Sequence, residues 1–223
     1  MVNFAFRKTL ISMILFEIIK IKKNSYNNIC IIDLNDDTNI KLHIDLIIKY
    51  GLTKGKIFDQ DMKSKFESEQ ESIDAISYGI RIVSLRPRSI KEFKQKLRLK
   101  KFSDSGINNA VKKLLELNLL NDFDFANKFI EHLVKIKRFG KLRIINELRK
   151  KGIQESIIRV LTDEIEISDE QFELIVKSTL RKLRMVSNKS LEKQKNSILI
   201  YLKNKGYSLE TALKVLEMVF RDI

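Results

Sequence analysis

The residues of this sequence that are best suited to binding chemistry are lysines and arginines, and they are concentrated in three segments. Residues 81–101 hold nine basic residues and one acidic residue, residues 135–151 hold eight and one, and residues 177–205 hold nine and one. The whole chain has 43 basic and 29 acidic residues, so the remainder is richer in acidic residues. Because ammonium and guanidinium groups bind phosphate oxygens, this segregation indicates a polyanion or an acidic protein surface as the partner.

Residue types that act in catalysis are scarce. The two histidines, His43 and His132, are far apart, and the single cysteine, Cys30, allows neither a disulfide within the chain nor a paired-cysteine zinc site. The use of one cysteine favours the reducing cytoplasm. The segment GLTKGKI from Gly51 is one residue too short between its glycines for a phosphate-binding loop, so it predicts a turn.

Acidic pairs are the remaining candidates for a catalytic metal site. Two such pairs occur, Asp163 with Glu164 and Asp169 with Glu170. A nuclease can hold a metal ion with carboxylates of this kind. Both pairs lie outside the basic segments, in a polar connection, and we therefore predict a protein that is not an enzyme and that has no cofactor and no metal.

The elements that must position the basic residues are mainly α-helices. Seven glycines and one proline leave too little turn chemistry for a β-sandwich or barrel. Alternating apolar residues from Leu15 to about His43 predict a small N-terminal β-hairpin or three-stranded meander. Beyond residue 72 the apolar residues recur with a period near 3.6, which predicts a series of helices. The first apolar stripe consists of Ile73, Ile76, Ile80 and Val83.

A repeat of roughly fifty residues organises the helical part. Three segments share a leucine, a lysine three positions later and an apolar residue two positions beyond, namely KLRLKKFS around Leu97, ELRKKGIQ around Leu148 and YLKNKGYS around Leu202. The aligned lysines are Lys100, Lys151 and Lys205. Gly152 and Gly206 follow the lysine, where a helix C-terminus often has left-handed backbone, whereas the first repeat has Lys101. The repeat predicts an elongated series of three tandem three-helix modules.

We expect five regions along the chain: a β-rich extension at 1–58, a polar linker or helix at 59–72, and helical repeats at 73–122, 123–166 and 167–223. The apolar run 9–16 resembles a signal peptide, but Glu17 interrupts it and it is too short for a membrane span. Met13 is an alternative start of translation. Whether residues 1–12 belong to the native protein therefore stays open. A self-contained repeat array favours a monomer.

Each basic segment covers the same part of its repeat, from the end of the first helix through the second. One lysine-rich segment alone indicates a solvated helix face, but recurrence at one phase of a repeat favours a binding surface. Ser89 and Glu92 predict a capping box, and a phosphate is expected at this helix N-terminus, beside Arg86 and Arg88. The candidate binding residues are Arg86, Arg88, Lys91, Lys100, Arg138, Lys141, Arg143, Lys151, Lys189, Lys193 and Lys205.

Three stretches carry a family pattern, AISYGIRIVSLRPRSIKEFKQKL, LNLLNDFDFANKFI and RFGKLRIINELRKKGI. In order, spacing and residue type they resemble the RecX family, strongly over about 73–165 and weakly over 173–223. The resemblance implies three tandem three-helix repeats that bind the groove of the RecA filament on DNA. It also implies inhibition of the RecA ATPase, strand exchange and coprotease functions in recombination and the SOS response.

Among the matched positions, Asn121 and Asp122 are expected to cap a helix. Those expected to touch the filament are Arg86, Arg88, Arg143 and Lys151.

Two other functions stay open. An independent DNA-binding protein of helix-turn-helix type would bind duplex DNA sequence-specifically without RecA. A helical scaffold for RNA or for an acidic protein would be insensitive to RecA. A RecA regulator would instead bind the RecA filament and single- or double-stranded DNA through phosphate contacts, with no membrane partner.

Overall fold

The structure is a computed structural model that describes residues 15–24, 28–163 and 165–221, and the prediction for residues 1–12 lies outside the described residues. The first elements are β1 (Leu15–Lys23), β2 (Ile29–Leu34), β3 (Asn39–His43), α1 (Ile44–Tyr50), β4 (Ile57–Asp59), α2 (Gln60–Leu85), α3 (Ile90–Leu99) and α4 (Asp104–Glu116). They are followed by α5 (Asp122–Lys135), α6 (Lys141–Lys150), α7 (Glu155–Asp163), α8 (Asp169–Arg184), α9 (Leu191–Lys205) and α10 (Leu209–Phe220). The chain is mainly α, as predicted.

The described residues divide into two compact units. The first unit contains the chain up to residue 86 together with residues 93–119, and the second contains residues 87–92 together with the chain from residue 120 onward. The predicted boundary at residue 58 falls inside β4, and the predicted boundary at residue 72 falls inside α2.

An antiparallel sheet with the strand order β3-β2-β1-β4 begins the first unit. The sequence predicted the first three strands, and the structure adds β4, in which Phe58 pairs with Phe16 of β1. The turn predicted from Gly51 lies between α1 and β4, and Gly51 itself ends α1 with left-handed backbone. A strand of three residues is too short to give a recognisable alternating pattern, so the sequence did not reveal it.

One apolar core of the first unit lies on one face of this sheet. It includes Phe16, Ile18, Ile32, Leu42 and Phe66, each at most 3% exposed. The ring of Phe66, on α2, contacts the ring of Phe58 with 5.2 Å between centroids. Full burial of a large apolar side chain contributes about 1.5–3 kcal/mol, so Phe66 is a main anchor of α2 on the sheet.

The second half of α2 packs through small residues. Ala75 and Gly79 are buried, whereas Ile80 of the predicted apolar stripe is 40% exposed. A Cβ atom at Gly79 would lie 2.8 Å from the ring of Phe93, so the neighbouring helix approaches closely. The predicted stripe was therefore wrong at Ile80, because the buried face of this half runs through Ala75, Gly79 and Ile82.

The second unit contains two apolar cores, one for each group of three helices. Helices α5, α6 and α7 share a core that includes Phe125, Leu133, Ile144, Leu148 and Ile158. Helices α8, α9 and α10 share a core that includes Ile175, Leu183, Ile198, Leu202 and Val215. The basic segments of this unit run from the end of the first helix of each group, α5 or α8, through the middle helix, α6 or α9.

The three segments of the sequence repeat have the same backbone structure at their helix ends. The N–H groups of Phe102, Ile153 and Tyr207 donate to the carbonyls of Leu97, Leu148 and Leu202 at 3.3, 3.2 and 3.2 Å. The residue before each donor has left-handed backbone, with φ of 63° at Lys101, 78° at Gly152 and 86° at Gly206. A lysine in the first repeat thus adopts the conformation for which the other two repeats use glycine.

Candidate nucleic-acid interface

The predicted binding residues are divided between the two units. Arg86 and Lys100 belong to the first unit, where they follow the last residues of α2 and α3. The other predicted residues belong to the second unit. Many of these converge on two places in the second unit, and at each place the start of one helix meets the end of another.

Residues 87–92 dock on the C-terminal end of α6, in a contact that we call the first joint. The Ser89 hydroxyl donates to the Lys151 carbonyl at 2.8 Å, and the Lys91 ammonium donates to the Lys150 carbonyl at 3.1 Å. The last carbonyls of a helix have no partner within the helix, so donors from another segment satisfy them. The joint thus completes the hydrogen bonding at the end of α6.

An ion pair and a close packing contact complete the first joint. The ammonium of Lys151 lies 2.5 Å from the Glu92 carboxylate, and 31% and 16% of the two side chains are exposed. A Cβ atom at Gly152 would lie 2.6 Å from Cδ of Lys91, so the docked segment fits only against glycine. Lys91 and Lys151, predicted as binding residues, therefore also hold the joint together.

Two backbone donors at the N-terminus of α3, where the sequence predicted a phosphate, already have partners within the chain. The Asp122 carboxylate accepts from the Ile90 N–H at 2.8 Å, and the Ser89 hydroxyl accepts from the Glu92 N–H at 3.2 Å. A carboxylate thus stands where the phosphate was expected, and the prediction was wrong for these donors. Burial raises the pKa of Asp122, and the hydrogen bond from Ile90 opposes that effect. Asn121 caps its own helix as predicted, whereas Asp122 caps α3.

The start of α6 docks on the end of α9 in the same manner, and we call this contact the second joint. The Gly140 N–H donates to the Lys205 carbonyl at 2.8 Å, and the Arg143 guanidinium donates to a carbonyl in the last turn of α9 at 3.3 Å. In the sequence repeat Gly140 is equivalent to Ser89, and Lys205 is equivalent to Lys151. Equivalent residues therefore form the two joints.

An aromatic ring supports the cations of the second joint. The Arg143 guanidinium and the Lys205 ammonium each lie 5.1 Å from the centroid of the Phe139 ring. The Lys205 ammonium also donates to the Lys137 carbonyl at 3.0 Å. Contacts of this kind attract a cation without neutralising it, so both side chains keep their positive charge.

Arg138 has an unusual environment at the same joint. Its φ of 52° is left-handed, and its Nε–H is buried with no hydrogen-bond partner among the residues that the structure describes. The Tyr207 hydroxyl donates to the Arg138 carbonyl at 2.7 Å, and burial raises the pKa of that phenol, so it keeps its proton. A buried donor without a partner costs about 1–3 kcal/mol. Such a cost often marks a functional position.

Two acidic residues organise these basic clusters. The sequence prediction missed Glu147 and gave Glu92 only as half of a capping box. Glu147 accepts from Lys150 at 2.9 Å and from Nε of Arg143 at 3.0 Å. Its pKa is lowered, most strongly by the hydrogen bond from Lys150. Glu92 holds Lys151 at the first joint. Each is the only acidic residue of its basic segment, and that isolation is the signal that could have revealed them.

The remaining predicted residues lie on exposed helix ends. Lys141 is 3.8 Å from Asp163, a distance at which an exposed ion pair contributes little. Lys189 and Lys193 lie at the start of α9 and are exposed. The Lys100 ammonium lies 5.8 Å from the centroid of the Tyr78 ring. Binding by Arg86, Arg88 and these residues stays a prediction.

Neither a metal site nor a membrane span is found in the described part of the chain. Over residues 15–24, 28–163 and 165–221, no group of three or more His, Cys, Asp and Glu side chains is placed to hold a metal ion. Every helix among these residues is too short or too polar to cross a bilayer.

Comparison with known proteins places the chain in a family. Residues 121–160 match the family model described as RecX, second three-helix domain. A protein named Regulatory protein RecX, from Pelodictyon phaeoclathratiforme, is 30% identical over 151 residues, which cover 66% of this chain and 92% of that relative. The chain belongs to the RecX family. RecX relatives from Finegoldia magna and Caldanaerobacter subterraneus are 27% and 25% identical, covering 83% and 92% of this chain and 86% and 100% of their own lengths.

Solved structures share the RecX fold with this chain. A crystal structure of regulatory protein RecX superposes with a TM-score of 0.73 at 22% identity, and covers 93% of this chain and 100% of its own. RecX from Lactobacillus salivarius gives a TM-score of 0.57 at 23% identity, and covers 67% of this chain and 96% of its own. The fold class that the sequence predicted is confirmed.

Proposed function

We propose that this chain regulates RecA by binding the RecA–DNA filament through its basic helices, and that it suppresses the ATPase, strand exchange and coprotease activities of RecA. In this proposal the protein acts in the cytoplasm as a monomer, without a cofactor and without catalysis of its own. Membership of the RecX family supports it, because the relatives carry the name of regulatory proteins.

The observation that carries the proposal is the order of the basic helices in the second unit. The start of α3 docks on the end of α6, and the start of α6 docks on the end of α9. This order places basic segments from successive repeats next to one another. Phosphates of a nucleic-acid backbone also follow one another at short intervals, so a succession of basic helices matches them electrostatically.

The test is the single-strand-DNA-dependent ATPase of the cognate RecA with substoichiometric amounts of this protein. We compare the wild type with a Lys189→Gln/Lys193→Gln variant, whose lysines are exposed. The matched control is Lys112→Gln/Lys128→Gln, which removes two exposed lysines outside the basic segments. Wild type and control should lower ATP turnover equally, and the first variant should need roughly tenfold more protein for the same inhibition.

One outcome would favour a different function. Tight binding to DNA or RNA with no effect on RecA turnover would contradict the proposal and support an independent nucleic-acid-binding protein. Equal inhibition by the two double variants would keep RecA regulation but exclude the start of α9 from the interface.

A further inference from the structure

The two joints form at equivalent positions of the repeat but have different charge patterns. In the sequence repeat Glu92 is equivalent to Arg143, and Lys151 is equivalent to Lys205. At the first joint the equivalent side chains are a carboxylate and an ammonium, and they form an ion pair. At the second joint they are a guanidinium and an ammonium, held over the Phe139 ring. A cation thus stands at the second joint where the first has its anion.

Few negative charges compensate the cations of the second joint. The hydrogen bonds of Lys205 to Lys137 and of Arg143 to the last turn of α9 go to neutral carbonyls. Glu147 is the carboxylate that contacts Arg143, and it does so through Nε while also accepting from Lys150. The second joint therefore has an excess of positive charge, which like-charge repulsion makes costly.

Arg138 adds a third cation to the same place. Its positive charge acts on the phenol of Tyr207, whose hydroxyl closes the joint, and its buried Nε–H has no partner among the described residues. An anion that draws this side chain outward would supply a hydrogen-bond partner for that donor. The cost of the unpaired donor would then be recovered on binding.

We propose that the second joint binds a phosphate group between Arg138, Arg143 and Lys205. The phosphate compensates the cations of the second joint, as the carboxylate of Glu92 compensates Lys151 at the first. Guanidinium groups donate two parallel hydrogen bonds to phosphate oxygens. At the first joint the carboxylates of Glu92 and Asp122 repel such a group, so the site is confined to the second.

The phosphate has two possible sources, a nucleic-acid backbone and a free phosphate ion. The inference deepens the proposed function, and it rests on that function only where the phosphate belongs to DNA. Both sources present the same oxygens to the same cations, so two probes are required. RecA is left out of both measurements, which keeps a failure here distinguishable from a failure of the RecA proposal.

The experiment compares the wild type with Arg143→Gln, Arg143→Glu and the control Arg159→Gln, which removes an exposed arginine of α7 outside the joint. The first probe is inorganic phosphate against chloride at equal ionic strength, read as the thermal unfolding midpoint. The second is an oligothymidine of 15 nucleotides, read by fluorescence anisotropy. Circular dichroism establishes that each variant is folded.

In wild type and Arg159→Gln we expect phosphate to raise the midpoint by roughly 2–4 °C. Both Arg143 variants should lose this rise, and Arg143→Glu should be stable without phosphate because it restores the charge pattern of the first joint. The Arg143→Gln variant should bind the oligonucleotide roughly tenfold more weakly. A rise with phosphate but equal oligonucleotide affinity would support the site with free phosphate as its source. No rise in the wild type, or an equal rise in all variants, would overturn the inference.

Discussion

Lys101 stands at a backbone position where the two equivalent residues are glycines. Its φ of 63° places it in the left-handed region, as at Gly152 and Gly206. A side chain in this conformation brings Cβ close to the following carbonyl and costs about 1–2 kcal/mol. The three helix ends nevertheless make the same hydrogen bond to the repeat leucine, so the fold over-determines this strained residue.

We therefore expect Lys101→Gly to stabilise the protein by about 1 kcal/mol, after allowance for the greater freedom of glycine in the unfolded chain. Chemical denaturation followed by circular dichroism measures the change in the free energy of unfolding. The control is Lys100→Gly, one residue earlier, where φ is not positive and glycine should bring no gain. Equal effects of the two substitutions would show that the strain is not borne at residue 101.

The carboxyl of Asp122 gives a prediction about pH. Burial raises its pKa in the folded protein, so the folded state holds the proton more tightly than the unfolded state does. Below the ordinary pKa of an aspartate, near 3.8, this carboxyl is protonated and its contribution to the stability of the folded state is fully present. That contribution is lost as the pH rises through the raised pKa of the folded state. At neutral pH the buried charge therefore lowers stability.

We expect Asp122→Asn, which keeps an acceptor for the Ile90 N–H, to escape this loss. The stability of the variant relative to wild type should increase between pH 3 and pH 7 in urea unfolding experiments. Asp124→Asn removes an exposed carboxylate from the same helix turn and controls for the helix dipole. A relative stability that is flat or falls with pH would contradict the argument.

The Asp122→Ala variant should lose about 1 kcal/mol of unfolding free energy in the same experiments, because it removes the carboxylate that caps α3.

At the scale of the elements, the second joint depends on one glycine from each of the two helix ends that meet there. A Cβ atom at Gly206 would overlap the backbone and side chain of Arg143, and one at Gly140 would overlap the backbone of Gly206. The helices of the second joint thus approach until their backbones touch. This closeness is what allows N–H groups of one helix to reach carbonyls of the other.

We expect Gly206→Ala to destabilise the protein by roughly 3 kcal/mol, because it combines left-handed strain with overpacking. The control is Gly55→Ala, where φ is 82° but nothing lies within 4 Å of the added Cβ. That substitution should cost about 1 kcal/mol, from the backbone alone. The two are compared by chemical denaturation, and similar losses would mean that the second joint opens readily enough to admit the methyl group.

The sequence predicted the elements better than their contacts. The period of the apolar residues and the capping residues revealed the helices, and the aligned leucines and lysines revealed the repeat. Both signals are local in the sequence. The small buried stripe of Ala75 and Gly79 was not predicted, since it depends on how closely another helix approaches. Ser89 was correctly predicted to cap α3. The second cap, Asp122, was not predicted, because it reaches the helix from 32 positions further along the chain.

The candidate site was predicted as a set of cations and not as a structure. Alignment of the repeats identified Lys151 and Lys205 as equivalent, and the structure places them at equivalent joints. The exchange of Glu92 for Arg143 is visible in the same alignment. Its meaning requires knowing that the two residues face those lysines across a joint, which is a tertiary contact that no periodicity encodes.

At the scale of the whole molecule, the net charge of +14 overstates what is available to a partner. Arg149 is held by Glu155 through two hydrogen bonds of 2.5 and 3.1 Å, and Arg98 lies 3.2 Å from Asp104. The carboxylate partner compensates part of the charge of each such cation, which makes the cation less available to phosphate. The number of phosphates neutralised should therefore be well below the number of basic residues in the three segments.

Salt dependence measures that number directly. If about six phosphates are neutralised on duplex DNA, the logarithm of affinity should fall with the logarithm of salt concentration with a slope of about −5. Affinity would then drop by roughly a thousandfold between 50 and 200 mM salt. Anisotropy titrations with a labelled duplex at four salt concentrations give the slope. A slope near zero would mean that binding does not depend on phosphate contacts, and the segregation of the basic residues would then need another explanation, such as an acidic protein surface.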